Sequence, residues 1–446
     1  MLGSVSHRHY VIRTALVLLL APLLPVSSGR PTSAQQPEAT ADLDGLTVRR
    51  IAIEGLQKLD ADVVRRRLSL RVGEPYTDTA ARRDERAISS LAIFWTIRIV
   101  AEPDPDPERP TGVVVRVVLE ERFAWFALPQ LDWTEEEGWS YGFFAGHLNL
   151  FRRGHRLMVT AYSGGRRYVS LSLSNLWNGP NHESFHIGGA VVRARNRLYD
   201  FEESGERFAA QLGRWVGRAG RLGAGLRYQR VRSNRPGITL SSPDEDRLHM
   251  AWVTLGLDTT DPWAYPRLGL IANLTLETDG GFLGGDLDAS AIGGRALWYV
   301  PLNTGLVLAA SGMAEARYGD VPFWRLLTVG GPNTIRGYPL GRYLVRRRWD
   351  FTTELQWYAI PMQIHDLGAL GEQILGISFS LFTDLGAGSR VVLGPGPGPP
   401  AADTPTLRSF GLGTTFHNAM LGTLRLEVAW PDHGASQIIF RLGHKL

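Results

Sequence analysis

Residues 329–343 read Val-Gly-Gly-Pro-Asn-Thr-Ile-Arg-Gly-Tyr-Pro-Leu-Gly-Arg-Tyr. Four glycines, two prolines and an asparagine oppose both a helix and a central strand, so this stretch is predicted to be a loop. It nevertheless carries Ile335, Arg336, Tyr338 and Tyr343, which a solvated loop has little reason to hold. Two interpretations remain open. The stretch is either an ordinary hairpin loop or a loop folded back into the lumen of a membrane barrel, with Arg336 facing a carboxylate.

The segments around this loop alternate between apolar and polar residues. Residues 267–278 and 423–430 each place leucines on one face and charged or polar residues on the other. This period of two indicates strands, and no convincing helical period appears beyond Arg122. The polar faces include Glu354 and Arg425, which suit a wet lumen better than a solvated sheet surface.

Roughly sixteen such segments follow Phe123, an even number that is typical of a bacterial single-chain barrel. The predicted fold is therefore mainly β, an antiparallel transmembrane β-barrel at 122–446. Aromatic residues near the segment ends are expected to form interfacial girdles, namely Trp133, Trp177, Trp298, Tyr299 and Trp430.

Counting the segments assigns each loop to one end of the barrel. The loop at 329–343 falls between the eleventh and twelfth segments, and the proline-glycine tract 394–400 between the thirteenth and fourteenth, both on the outer side. The turn at 258–269 falls between the eighth and ninth segments, on the inner side. On the thirteenth segment, alternation directs Phe382 and Asp384 into the lumen, so Asp384 points to where Arg336 would lie.

Residues 46–121 have the pattern of a small α+β domain. A strand at 48–54 precedes a helix capped by Asp60, and a second helix is capped by Thr77 or Asp78. The apolar face of the second helix is predicted to hold Ala80, Ala87, Ile88, Leu91 and Phe94. Two strands follow, at 96–101 and 111–119. An unrelated ferredoxin-like module would share this order of elements.

The N-terminus has the layout of a secretory signal peptide over residues 1–34, followed by a linker at 35–45. Its apolar run is interrupted by Pro22 and Pro25 and is too short to span a bilayer as a helix. Cysteine is absent, which excludes disulfides, thiol catalysis and cysteine zinc sites. The formal charge of +4 is too small to indicate a nucleic-acid partner.

The sequence offers one apparent metal motif, in which His182, Glu183 and His186 match the zinc-protease pattern. That pattern requires a helix, whereas Pro180 and the following glycines favour a strand. Histidines four apart in a strand lie about 13 Å from each other, too far for one zinc ion. We therefore predict no metal, no cofactor and no catalytic residues.

Four stretches together resemble the superfamily of outer-membrane assembly factors that contains BamA, TamA and the bacterial surface antigens. Arg336, Gly337 and Tyr338 resemble its loop motif. The matching motif of the barrel wall is represented by Phe382, Asp384 and Gly386. Its periplasmic turn is represented by Asp258, Asp261, Pro262 and Gly269, and its early hairpin by residues 148–157. Residues 46–121 are similar to a single POTRA domain.

The resemblance implies an outer-membrane barrel with the POTRA domain in the periplasm. It implies that Arg336 and Asp384 lock the loop to the wall and that the protein inserts or translocates unfolded outer-membrane or secreted polypeptides. Outer-membrane lipid and periplasmic chaperones are the further partners it suggests. A secretion pore of the two-partner type, or a passive channel, is the alternative function.

Two departures from the family concern the ends of the chain. There is room for one POTRA domain where relatives usually carry more, and the last strand ends in Leu446 where an aromatic residue is common. Gly443 in the last strand and Pro129 in the first both weaken strand pairing. We expect these two residues to mark a seam that can open.

Overall fold

The computed structural model describes residues 43–89, 91, 93–105, 112–121, 123–134, 136–178, 183–217, 219–260, 266–366, 372–392, 403–418 and 422–442. The predicted signal peptide, most of the linker and the tract 394–400 lie outside these residues. The chain divides near Trp125 into two compact units, an N-terminal domain and a barrel, and each is described by itself.

The N-terminal domain has the predicted order of strand, helix, helix, strand, strand. Its elements are β1 (Thr47–Glu54), α1 (Ala61–Arg65), α2 (Asp78–Ser89), β2 (Phe94–Pro103) and β3 (Gly112–Glu121). The sheet order is β1-β3-β2, in which β3 is central, parallel to β1 and antiparallel to β2. The two edges of this sheet are therefore β1 and β2.

Helix caps appear where the sequence predicts them. The carboxylate of Asp60 accepts the N–H of Asp62 at 3.0 Å, and the hydroxyl of Thr77 accepts the N–H of Ala80 at 3.2 Å. The second helix is shorter than predicted, because α2 ends at Ser89. Leu91 therefore lies beyond α2 and Phe94 opens β2, although both side chains still pack in the core.

Seventeen strands of the described chain form a closed, antiparallel barrel. Their bounds are Trp125–Thr134 (β4), Gly138–Leu150 (β5), His155–Gly164 (β6), Arg166–Asn178 (β7), Glu183–Asn196 (β8), Phe201–Val216 (β9), Gly220–Ser233 (β10), Glu245–Asp258 (β11), Gly269–Asp279 (β12), Ala289–Pro301 (β13), Leu306–Gly319 (β14), Leu327–Val329 (β15), Tyr343–Asp366 (β16), Glu372–Val391 (β17), Leu407–Asn418 (β18), Gly422–Pro431 (β19) and Gln437–Leu442 (β20). The order closes with β20 beside β4.

Sixteen of these strands form the wall, because β15 is only a short part of the loop that follows β14. It pairs with residues 343–345 at the start of β16, and from residue 347 onward β16 pairs with β14 directly. The predicted barrel of about sixteen strands is confirmed. The predicted positions of the loops in the strand count are also correct. Among the described helices, none is long and apolar enough to cross a membrane.

Alternation along the strands separates the two faces of the wall as predicted. On β17 the side chain of Leu381 is 55% exposed, whereas that of Asp384 is fully buried. One assignment to the aromatic girdles is wrong. Trp298 faces outward, but its neighbour Tyr299 must then point inward, where it packs against Val307 and Tyr358.

Candidate functional site

The loop between β14 and β16 is folded into the barrel. The side chains of Ile335 and Arg336 are fully buried, and Tyr338 is 3% exposed. Ile335 and Tyr338 pack with Val329 and Leu407 in an apolar cluster. The hydroxyl of Tyr338 also donates to the carbonyl oxygen of Arg408 at 3.1 Å. The interpretation as an ordinary hairpin loop is therefore wrong.

Arg336 and Asp384 meet as the sequence predicts. The Nε and Nη2 groups of Arg336 each donate to Asp384 at 2.8 Å, and its backbone N–H donates to the same carboxylate at 3.0 Å. The hydroxyl of Thr352 donates to Asp384 at 2.8 Å as well. The carboxylate thus accepts four hydrogen bonds, which holds it in one orientation.

Two further carboxylates surround the same guanidinium group. Nη1 of Arg336 lies 2.6 Å from Oε1 of Glu427 on β19 and 3.5 Å from Oε2 of Glu354 on β16. Arg425, also on β19, bridges these two, since its Nη2 lies 2.5 Å from Glu354 and 3.3 Å from Glu427. Every one of these side chains is at most 1% exposed.

A third arginine connects this network to the last strand of the barrel. Arg441 on β20 donates from Nε and Nη2 to Oε2 of Glu427, at 3.0 and 2.5 Å. Its Nη1 donates to the carbonyl oxygen of Pro332 in the folded loop at 3.1 Å. The loop is therefore bound both to the wall and to the strand that closes the barrel against β4.

The network is electrically balanced, with Arg336, Arg425 and Arg441 facing three carboxylates. Burial would lower the pKa of Arg336, but the carboxylates of Asp384 and Glu427 raise it above its ordinary value, so the loop arginine is charged. Its guanidinium carbon also lies 3.3 Å from the ring centroid of Phe382, a cation–π contact.

Glycines provide the space for this packing. Gly337 has a φ of 88°, and a Cβ there would lie 3.1 Å from Cδ of Pro431. A Cβ on Gly386 would lie 2.6 Å from Cδ1 of Ile335. A Cβ on Gly411 would lie 2.2 Å from the ring of Phe382. A Cβ at Gly337 would thus be tight against the wall, whereas a Cβ at Gly386 or Gly411 would require a neighbouring group to shift.

The first half of the loop has a second anchor, on strands β11 and β12. Arg325 forms ion pairs with Asp279 and Glu277 on β12. The indole N–H of Trp324 donates to Asp246 at 2.8 Å. Around Trp324 a buried apolar cluster fills this end of the lumen, made up of Phe201, Val231, Ile238, Leu248, Leu287, Val321, Phe323, Leu326 and Leu344.

The other predicted site residues lie apart from the network. Asp258 ends β11, where it pairs with Arg221 at 2.8 Å and accepts the N–H of Thr260 at 3.1 Å. Gly269 has a φ of 109° and lies against the backbone of Thr259, so it holds the turn into β12. Asp261, Pro262 and Gly443 lie outside the described residues.

Pro129 lies in β4 opposite Phe143 of β5. Of the apparent zinc motif, His186 lies in strand β8 and His182 lies outside the described residues. Among the residues that the structure describes, no group of three or more potential ligands is arranged to hold a metal ion.

Sequence reasoning did not identify the partners of Arg336 beyond Asp384. Glu354 and Arg425 were assigned to the lumen by alternation, but nothing in their local pattern distinguishes them from other lumen residues. Alternation could also have assigned Glu427 and Arg441 to the lumen. Glu427 lies two residues after Arg425 on the same strand, and Arg441 lies opposite Arg425 on the next strand. Contacts across four strands depend on register, which alternation does not give.

Two family models match the chain. Residues 46–122 match the POTRA model described as surface antigen variable number repeat. Residues 149–446, well over half of the chain, match the model described as the Omp85 superfamily domain.

The chain is similar to a curated protein and to solved structures. It is 23% identical over 302 residues to the outer membrane protein assembly factor BamA of Nitratidesulfovibrio vulgaris, covering 65% of this chain and 37% of that protein. The chain thus spans little more than a third of this relative's length. BamA from Haemophilus ducreyi lacking POTRA domains 1–3 has a TM-score of 0.58 at 15% identity, covering 89% of this chain and 83% of that one. CdiB from Acinetobacter baumannii has a TM-score of 0.54 at 14% identity, covering 90% and 72%. At these identities the two structures show a shared fold.

Proposed function

Because the chain belongs to the Omp85 superfamily, with its barrel in the outer membrane and its POTRA domain in the periplasm, we propose that it inserts other polypeptides into that membrane. The proposed mechanism is physical and uses no covalent step. An extended client strand pairs first with the POTRA sheet and then with the seam between β4 and β20. Its backbone groups then avoid entering lipid unpaired, which would cost several kcal/mol for each group.

The observation that carries this proposal is the contact of Arg441 with both Glu427 and Pro332. Through it, the buried network holds the loop against the last strand of the barrel. A rigid support on one side of the seam lets β4 move away while β20 keeps its position. The exposed edge of β20 would then serve as the template for the client.

The POTRA edge proposed for the client is β2. The start of the other edge, β1, is already covered, because Val48 N–H donates to the carbonyl of Glu74 at 2.9 Å and Tyr76 N–H to that of Leu46 at 2.8 Å. On β2, the N–H of Ile99 donates to Oε1 of Glu85 at 2.8 Å. A client strand would have to displace that side chain, an exchange of one hydrogen bond for another.

A passive channel fits the structure poorly, because the folded loop and the apolar cluster around Trp324 occupy the lumen at the outer end. A secretion pore of the two-partner type is the remaining alternative. The similarity of fold to CdiB is compatible with it. The two functions differ in the path that the client takes. In an insertase the client pairs with a strand at the seam, whereas in a secretion pore it passes through the lumen, which the folded loop must first leave.

The seam can be tested directly because the chain has no cysteine. Single cysteines placed along β4 and along β20 would be oxidised as pairs in the purified full-length protein, which is then reconstituted in vesicles with an unfolded barrel client. We expect crosslinked protein to stay folded, lose client insertion and recover it on reduction. Full insertion activity in the crosslinked state would contradict the proposed function.

A further inference from the structure

A group of arginines lies on the outward, lipid-facing side of β7 to β11. Alternate wall strands run in opposite directions, and β14 runs toward the end that carries the folded loop. The start of β7 and the end of β8 therefore lie at that same end, which is the outer one because the POTRA domain is periplasmic. Arg167 and Arg193 occupy these two positions, and both are exposed.

Cross-strand pairing arranges the outward residues in rows whose chemistry changes toward the outer end. One row contains Leu171, Gly189, Phe208, Tyr228 and His249. The next contains Val169, Val191, Glu206, Arg230 and Arg247. The third contains Arg167, Arg193, Ser204, Arg232 and Glu245. Apolar and aromatic residues thus give way to arginines, as expected where lipid chains meet headgroups.

Two pairs in these rows place like charges directly opposite each other. Arg167 faces Arg193 across β7 and β8, and Arg230 faces Arg247 across β10 and β11. Like charges in this position destabilise a sheet. An anion bound between the guanidinium groups would reduce this repulsion.

The glutamates nearby offset only part of this charge. Arg193 pairs with Glu202 at 3.1 Å, Arg230 with Glu206 at 3.2 Å, and Arg247 with Glu245 at 2.7 Å. Glu245 is shared, because Arg232 contacts it as well. Five arginines therefore face three glutamates and Asp286, which lies near Arg247, and within the described chain Arg167 has no acidic partner.

We infer that this outer arginine patch, formed by Arg167, Arg193, Arg230, Arg232 and Arg247, binds the phosphate groups of lipids in the outer leaflet. A phosphate accepts two parallel hydrogen bonds from a guanidinium group, and two opposed arginines can share one phosphate. A lipid is the ligand because the patch continues the exposed apolar surface at Val191 and Phe208, where acyl chains lie. The inference rests on the outer-membrane location and is independent of the proposed insertion activity.

The test is a titration of the purified full-length protein in detergent with lipid A that carries its phosphates, followed by native mass spectrometry. R167Q/R193Q and R230Q/R247Q should each bind about tenfold more weakly, since each loses at least one charge-assisted hydrogen bond. Dephosphorylated lipid A should bind as weakly as the variants. The matched control is R214Q, an exposed outward arginine near the opposite end of β9, which should bind as the wild type does.

Several results would overturn the inference. Equal binding of both forms of lipid A would show that phosphate is not recognised, and wild-type binding by both double variants would show that the patch is not the site. Inorganic phosphate that binds the wild type as tightly as phosphorylated lipid A would assign the site to free phosphate rather than to a lipid. Should a double variant fail to fold, lipid A binding by the single variant R167Q decides the question. This variant is expected to fold, because it removes the repulsion between Arg167 and Arg193.

Discussion

Arg336 and Asp384 lie 48 positions apart in the chain and share three hydrogen bonds inside the barrel. One of the three comes from the backbone of the loop, so the contact fixes the path of the chain as well as the side chain. Glu427 and Glu354 close around the other side of the same guanidinium group. Removing the arginine would therefore leave three buried carboxylates with two arginines.

We accordingly expect Arg336→Ala to destabilise the barrel by about 3 to 5 kcal/mol, since uncompensated buried charge is left behind. Asp384→Ala should have a similar effect, and the double variant should cost less than the sum. Arg336→Lys should rescue only in part, because an ammonium group cannot reproduce the two-pronged contact. Thermal unfolding followed by gel mobility measures these effects.

The control for this series is Arg214→Ala, which removes an exposed, outward arginine and should change stability by no more than about 0.5 kcal/mol. If Arg336→Ala behaved like Arg214→Ala, lumen water would be screening the network and the lock would not stabilise the fold.

The close packing of Gly411 against the aromatic ring of Phe382 gives a second prediction. Gly411→Ala places a Cβ 2.2 Å from Cζ of Phe382 and 2.3 Å from the carbonyl of Val428. Overpacking of this kind typically costs about 1 to 3 kcal/mol. Gly294→Ala on β13 is matched to it, because a Cβ there meets no atom closer than 3.6 Å. Equal unfolding temperatures for the two variants would show that Phe382 can move away from Arg336 freely.

The sequence predicts the barrel and half of this site, for a physical reason. Alternation assigns Asp384 to the lumen, and the composition of residues 329–343 requires a folded loop, so one ion pair follows from parity alone. The contacts of Glu427, Arg425 and Arg441 depend on which residues lie opposite one another on four strands. That register is set by packing along the whole wall, and no local pattern encodes it.

The wrong assignment of Tyr299 to the aromatic girdle has a different cause. Its aromatic character and its place near a strand end fit a girdle, but Trp298 already occupies the outward position. Only one of two adjacent residues in a strand can face lipid, so the polar hydroxyl of Tyr299 turns inward. Parity should therefore have overruled residue type at this position.

The edge of the POTRA sheet gives a third prediction. Glu85→Ala removes the acceptor of the Ile99 N–H, and we expect this amide to exchange with solvent about tenfold faster, as the loss of a charge-assisted hydrogen bond implies. The freed edge should also bind an extended client peptide more tightly. Hydrogen exchange and peptide crosslinking measure the two effects.

Arg83→Ala is the matched control, because Arg83 lies exposed on the same helix and is truncated in the same way. Faster exchange at Ile99 in both variants would trace the effect to a weaker α2 helix. A client peptide that crosslinks to β1 rather than β2 would refute the choice of edge.

The route of the client gives the last prediction, and it separates an insertase from a secretion pore. An ideal Cβ on Gly337 lies 3.3 Å from the Cβ of Ala429. Disulfides span Cβ distances of about 3.5 to 4.5 Å, so a small adjustment would let Gly337→Cys and Ala429→Cys close a bond between the loop and β19. Because three arginines and three carboxylates already hold the loop there, we expect it to stay in place while a client is inserted at the seam. The oxidised pair should then insert clients as well as the reduced pair, whereas the crosslink between β4 and β20 should stop insertion.

The reduced protein measures separately how much the cysteine side chain destabilises the fold at the positive φ of Gly337, about 1 to 2 kcal/mol. Should oxidation of the loop pair abolish activity and reduction restore it, the loop must leave the lumen, and the secretion pore becomes the better description.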